Sequence, residues 1–275
     1  MHKDKSSLDP SLEKYYAEGN ERDRLSSHRL EKDRTLRILK KVLPPSPAII
    51  IDVGGAAGVY AFELAQLGYG VHLIDPVALH IHQAKEHARI SGHSLASYAI
   101  GDARHIEREK NSADVVLFFG PLYHLADPAD RHKALSEAYR VLKPGGLLLA
   151  VGISRFASFM DAAHKNVIDK KFTVIKEEFA SGVHRKIAEN MIFAYLHRPE
   201  ELKDEVLKSG FCEATLCAIE GPVWEKNIIE AVQDNEKSWE QLLTLLDQIE
   251  TEETILGASA HIMAIARVGN PKHER

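Results

Sequence analysis

Between Ala48 and Pro76 the chain reads AIIIDVGGAAGVYAFELAQLGYGVHLIDP. An apolar run breaks at Asp52 into a small, Gly-rich turn, a helical pattern follows, and a second apolar run ends on Asp75. This is one strand–loop–helix–strand unit of a nucleotide-binding sheet. Glycines let the loop backbone press against a ligand. The acid closing the second run stands where a carboxylate accepts the hydroxyls of a ribose.

The rhythm continues beyond this unit. Strands are expected at 48–53, 71–74, 97–100, 114–119 and 147–153, near-continuously apolar as strands covered on both faces are. Asp127-Pro128 reads as a cap and first position of the helix before the fifth strand, and Lys143-Pro144-Gly145-Gly146 as its end. After Ser154 the alternation fails. It returns with a helix opening at Arg198-Pro199, a strand at 211–219, a helical stretch over 224–250 and a last strand at 261–268. The expected fold is α/β: a seven-strand, mostly parallel, doubly wound sheet with a helical cover over the strand ends.

The 275 residues are 44% hydrophobic and 27% charged, ordinary values for a globular chain. A formal charge of −5 gives no basic field for nucleic acid. No apolar run has the ~20 residues of a membrane span. The polar start MHKDKSSLDP and just two cysteines, Cys212 and Cys217, point to a cytoplasmic protein with free thiols. Oligomeric state is not written in these features.

The turn Asp52-Val53-Gly54-Gly55-Ala56-Ala57-Gly58 lacks the G-x-G-x-x-G fingerprint that cradles a pyrophosphate. An acid beside it suits a ligand with a cationic end. S-adenosylmethionine, with an ammonium and a sulfonium and no phosphate, fits better than a nicotinamide dinucleotide. Gly101-Asp102-Ala103 follows the third strand and offers an acceptor for an adenine amino group. Phe119-Gly120-Pro121-Leu122-Tyr123-His124-Leu125 ends the fourth strand. Carbonyls of Phe119 and Gly120 can receive the ligand ammonium there, with Tyr123 and His124 toward a substrate. In the N-terminal segment, Tyr16 is placed to close over the ligand, and Arg24 or Arg34 to pair with its carboxylate. Fifteen histidines form no metal motif, and His80 and His82 do not share a helix face. Phe156, Phe159, Met160, Met191, Phe193, Tyr195 and Trp224 are candidates to line an acceptor pocket, although such residues more often form the core of the cover.

Taken together, DVGGAAG, LIDP, GDARHI and RVLKPGG resemble the class I S-adenosylmethionine-dependent methyltransferases. The likeness is to the small-molecule group with ubiquinone- and menaquinone-type, methyltransferase type 11-like members. FFGPLYHL and GASAHIMAIAR look like bacterial members of that group. The resemblance implies a Rossmann-like core at 44–153 and 197–270, an N-terminal helical cover at 1–43, and a helical insertion at 154–196 forming part of the acceptor site. It implies cofactor contacts from Asp52, Gly54, Gly55 and Ala56, with Gly54 at the methionine part. Asp75 and Pro76 fall at the ribose, Gly101, Asp102 and Ala103 at the adenine, and Phe119 or Gly120 at the methionine end. Two positions depart from the pattern: Ala56 replaces a second glycine, and Glu107-Arg108 an apolar pair.

The expected activity is methyl transfer from S-adenosylmethionine to a small-molecule acceptor, leaving S-adenosylhomocysteine, without a metal, nucleic-acid partner or membrane. His124 and Tyr123 are the candidate catalytic side chains. The competing readings are a non-catalytic S-adenosylmethionine sensor and a nicotinamide-dependent oxidoreductase.

Overall fold

The computed structural model describes residues 28–186, 191–224 and 226–269; for 186, 191–193, 226 and 227 it describes the backbone alone. Helix α1 (Arg29–Val42) precedes β1 (Ile49–Val53), α2 (Val59–Gln66), β2 (Gly70–Asp75), α3 (Ala78–Ser91), β3 (Ser97–Ile100), β4 (Ala113–Phe118), the short α4 (Pro121–His124), α5 (Pro128–Val141) and β5 (Leu142–Ser154). Then come α6 (Ala157–His164), α7 (Ile168–Ser181), β6 (Val183–Lys186), β7 (Met191–His197), α8 (Pro199–Lys208), β8 (Cys212–Ala218), α9 (Lys226–Val232), α10 (Glu236–Ile249), α11 (Glu253–Leu256) and β9 (His261–Arg267).

The seven expected strands lie in the order β3-β2-β1-β4-β5-β9-β8, parallel except for β9, which runs antiparallel to β5 and β8. Each face is covered, which is why the strands read as continuous apolar runs. Ile51, Val53, Val116, Phe118 and Leu148 pack with Ala134, Leu135 and Ala138 of α5 and Leu202 and Val206 of α8. Ile50, Val115, Leu117 and Leu149 pack on the other side with Ile38 and Leu39 of α1, Leu64 of α2 and Ile81 and Ala84 of α3. Asp127 caps α5 as its sequence indicates, its side chain accepting from Ala129 N with Pro128 at the first turn.

The insertion departs from expectation. Residues 154–196 are helical by expectation, yet after α6 and α7 the chain forms the antiparallel hairpin β6–β7. β7 then joins the sheet parallel to β5 through Ile153↔Leu196 and Ser154↔His197. β9 already occupies one edge of β5 from Leu147 to Ile153, and β4 the other as far as Ala150. β7 therefore continues the edge that β4 leaves, and α4 packs against it. The hairpin extends the wall above the end of β4.

Strand order reverses between β1 and β4, because the chain leaves β1 toward β2 on one side and returns to β4 on the other. The loops after these two strands diverge and leave a crevice, the usual ligand position in such sheets.

Candidate active site

The crevice is a cleft open to solvent at its mouth. The turn after β1 supplies Asp52 to Ala57, the end of β2 supplies Asp75 to Val77, the loop after β3 supplies Asp102 and Ala103, and the end of β4 supplies Phe119 to Leu125 except Leu122. Of the described residues expected to bind cofactor, Asp52, Gly54, Gly55, Ala56, Asp75, Pro76, Asp102, Ala103, Phe119 and Gly120 line it, as do Tyr123 and His124. Gly101 does not; a Cβ there would stand 2.8 Å from Ile74 Cγ2, so its missing side chain serves packing on β2. Tyr16 and Arg24 lie outside the described residues.

The glycines of the turn have separate tasks. Gly54 holds φ +72°, and a Cβ would come within 2.9 Å of Pro121 Cδ, so it lets the β1 and β4 loops close on each other. At Gly55 a Cβ would fall 2.4 Å from Asp52 Oδ2 and 2.6 Å from Leu73 Cδ1. The bare position is what admits the Asp52 carboxylate beneath the turn. Ala56 also adopts a positive φ, +48°, a region that glycine enters without strain.

Asp52 is 1% exposed, and neither of its oxygens has a hydrogen-bond partner among the described residues. Burial, and then the nearby Asp75 carboxylate, push its carboxyl up to about 7. A buried acid in this condition is compensated by a cation. This is the property that a ligand with an ammonium and a sulfonium supplies.

Asp75 is more committed than its sequence position suggests. Oδ2 accepts from Ala56 N at 2.9 Å, and Oδ1 accepts from Val77 N at 2.9 Å and His80 Nδ1 at 2.9 Å. A carboxylate has about four acceptor positions. The expected pairing with two ribose hydroxyls therefore requires one of the present donors to give way. His80, which also lines the cleft, is not among the expected site residues. Its ring reaches back from the first turn of α3, a tertiary contact that spacing alone does not announce.

Asp102 is also engaged. Arg104 grips it with Nε on Oδ1 at 2.9 Å and Nη2 on Oδ2 at 2.6 Å, and extends Nη1 to Asp130 at 2.8 Å. The acid expected to meet an adenine amino group is thus half of a forked ion pair. Arg108, at the second departure from the motif, bonds His72 and Ser97 across β2 and β3 instead of joining the site.

At the end of β4, the Tyr123 hydroxyl donates to the Phe119 carbonyl at 2.7 Å. This hydroxyl anchors the loop while the residue lines the cleft, and it uses one acceptor position of a carbonyl assigned to the ligand ammonium. The Tyr123 and His124 rings meet edge to face at 4.6 Å. Arg34, offered as a partner for a ligand carboxylate, is fully buried elsewhere, bonded to the Ile219 carbonyl, Asp247 and Glu250. Among the acceptor-pocket candidates, Phe156 and Phe159 pack on Phe179, and Tyr195 lies beneath the Arg131 guanidinium at 3.8 Å. The side chains of Met191 and Phe193 are not among those described.

A doubly wound sheet with antiparallel β9, a Gly-rich turn after β1 and acids at the ends of β1 and β2 defines the class I methyltransferase fold. Residues 50–146 match the family model described as a methyltransferase domain. The ubiquinone biosynthesis O-methyltransferase of Maricaulis maris is 34% identical over 107 residues, 38% of this chain and 41% of that protein. The tRNA 5-carboxymethoxyuridine methyltransferase of Escherichia coli K12 is 33% identical over 109 residues, 38% of this chain and 40% of that protein. The chain thus spans about two fifths of the length of these curated relatives. In fold, it superposes on a Methanosarcina mazei S-adenosylmethionine-dependent methyltransferase with TM-score 0.58 at 19% identity, covering 85% of this chain and 97% of that one. Residues 50–146 thus carry a methyltransferase domain, and the fold is that of S-adenosylmethionine-dependent methyltransferases.

Proposed function

We propose that the protein transfers a methyl group from S-adenosylmethionine to a small-molecule acceptor. The observation that carries this reading is Asp52, buried and without a hydrogen-bond partner among the described residues, in a cleft that has no pyrophosphate fingerprint. Asp52 compensates the cationic end of the ligand. Asp75 takes the ribose, with His80 as its support, and Ala103 borders the adenine. Phe119 and Gly120 face the methionine end.

Bound in this cleft, S-adenosylmethionine supplies a methyl group already activated by its sulfonium, so the chemistry needs no metal. The protein aligns donor and acceptor in line and excludes water. For a hydroxyl or ammonium acceptor, His124 at the end of β4 is the side chain placed to take the proton. A formal charge of −5 favours a small acceptor over a nucleic acid, although one relative's name specifies tRNA. No helix among the described residues is long and apolar enough to cross a membrane. Two free cysteines support a reducing, cytoplasmic location.

The test is incubation of the full chain with methyl-labelled S-adenosylmethionine and a metabolite extract, followed by mass analysis of labelled products. Label in one small molecule is the expected result. Label confined to RNA reassigns the acceptor, and no label with intact S-adenosylhomocysteine binding favours a sensor.

A further inference from the structure

The loop after β3 is held from one face of α5, which carries Asp130, Glu137 and Arg140. Glu137 Oε2 accepts from Ile106 N at 2.9 Å, and Arg140 donates to the carbonyls of Ile106 and Arg108 at 2.7 and 2.8 Å. Asp130 accepts from Arg104 Nη1 at 2.8 Å. Ala103 and Ile106 of the same loop are buried in the core.

Arg104 does more than join this attachment. Asp102 lines the cleft, and Arg104 does not. Oδ1 of Asp102 accepts from Arg104 N at 2.7 Å and from Arg104 Nε at 2.9 Å, and Oδ2 accepts from Arg104 Nη2 at 2.6 Å. A carboxylate has about four acceptor positions, two on each oxygen. Oδ1 is therefore filled, while among the described residues one position on Oδ2 stays open. The side chains are 16% exposed for Asp102 and 8% for Arg104, so the pair is largely shielded, with Asp102 the member that reaches the cleft.

Attachment of the loop does not require this fork. The bonds from Glu137 and Arg140 and the burial of Ala103 and Ile106 pin the backbone on both sides of Arg104. A pairing of Arg104 with Asp130 alone would serve as a further anchor. What the fork adds is control of Asp102. Parallel charge-assisted bonds fix the orientation of the carboxylate and keep it ionised, hence acceptor-only. A carboxylate without such a grip rotates, or takes a proton and offers a donor instead. A purine with an amino group at C6 has a hydrogen to give the open position on Oδ2. A purine with a carbonyl at C6 brings a second acceptor against it, which loses water and gains no bond.

We propose that Arg104 determines the purine specificity of the cleft. By holding Asp102 ionised and in place, it makes the site take an adenine nucleoside and reject the counterpart with a carbonyl at C6. Arg104 is a positioning residue, acting through Asp102 from outside the cleft. This rests on the cofactor reading above.

Calorimetric titration of the full chain with S-adenosylhomocysteine and S-inosylhomocysteine, its counterpart with a C6 carbonyl, tests it and needs no methyl acceptor. The wild type is expected to prefer the adenosyl compound by about thirtyfold or more. Arg104→Met is expected to cut that ratio to about threefold or less. A merely structural role would weaken both compounds alike, so an unchanged ratio overturns the proposal. Arg104→Lys keeps a cation beside both acids but lacks the planar fork. It is expected to lower the ratio as well, and it decides the matter if the methionine variant does not fold. Asp130→Asn weakens the anchor and leaves the fork on Asp102, so the wild-type ratio is expected to persist. A ratio that falls there as far as in Arg104→Met overturns the proposal, as do folded Arg104 variants that bind neither compound. Wild type that binds both compounds equally overturns the proposal and leaves the cofactor reading intact. Wild type that binds neither overturns the cofactor reading and the proposal with it.

Discussion

The backbone N–H of Ala56 donates to Asp75 Oδ2 at 2.9 Å, tying the turn after β1 to the end of β2. Ala56 makes this bond from a positive φ of +48°, where an L side chain is strained by roughly 1–2 kcal/mol. Ala56→Gly is expected to keep the bond and relieve the strain, with part of the gain offset by the extra freedom glycine has when unfolded. Chemical denaturation should show a gain of up to about 1 kcal/mol. Ala56→Val should lose stability by about 1–2 kcal/mol, because a β-branched residue tolerates this region least. A valine variant as stable as wild type would contradict the strained turn.

Asp75 serves the fold as well as the ligand. Its removal strands the amides of Ala56 and Val77 and the Nδ1 of His80. Each unsatisfied buried group costs about 1–3 kcal/mol. Asp75→Ala should therefore lower both the denaturation midpoint and cofactor affinity, and Asp75→Asn, which keeps one acceptor oxygen, should lie between. Calorimetry and denaturation on the same preparations check this. Lost affinity with untouched stability would mean that these hydrogen bonds are not formed.

How far the site is legible in the sequence follows from which residues act through local geometry. Asp52, Gly54, Asp75 and Asp102 each end or follow a strand, so alternation of strands and helices is enough to bring them to one end of the sheet. The partners of those acids come from elsewhere. His80 turns back from α3, Arg104 folds onto Asp102, and Arg34 finds its carboxylates 213 and 216 residues away. Such choices are made by tertiary packing. The β6–β7 hairpin is hidden for a different reason: Val183–Lys186 is only four residues long, VHRK, too short and polar for a period of two to emerge. Gly101 misleads because a glycine kept bare for packing and one kept bare for a ligand look alike in sequence.

The Arg131 cluster should govern the loop that carries His124. Buried Arg131 donates to the carbonyls of Leu125 and Ala126 at 2.8 and 2.9 Å and to Glu205 at 2.7 Å. Burial would raise the Glu205 carboxyl, but His197 and Arg131 hold it down at about 2. A depressed carboxyl contributes stability that is present above its unfolded value of about 4.5 and lost as pH falls toward 2. Arg131→Met should cost about 3–5 kcal/mol by leaving Glu205 without its partner. The double variant with Glu205→Leu should recover much of that loss. Denaturation of the single and double variants near neutral pH and at low pH checks both statements, and a single variant as stable as wild type would contradict them.

Asp52 carries the opposite sign. Its carboxyl is raised from 3.8 to about 7, so between these values the folded protein holds a proton that the unfolded chain has released. Stability of the ligand-free protein should be fullest below the lower value and fall as pH rises through about 7, by at most roughly 1.4 kcal/mol per pH unit. Asp52→Asn should flatten this dependence. An unchanged slope in the variant would place the titration elsewhere.

On this reading the cleft binds a cationic adenosine ligand through Asp52. Isothermal titration of the full chain with S-adenosylmethionine, S-adenosylhomocysteine and NAD at several pH values tests it most directly. The first two are expected to bind over NAD, with S-adenosylmethionine affinity rising as pH passes through about 7 and that rise abolished in Asp52→Asn. Binding of NAD alone would contradict it. So would S-adenosylmethionine affinity that is the same on both sides of that pH in wild type.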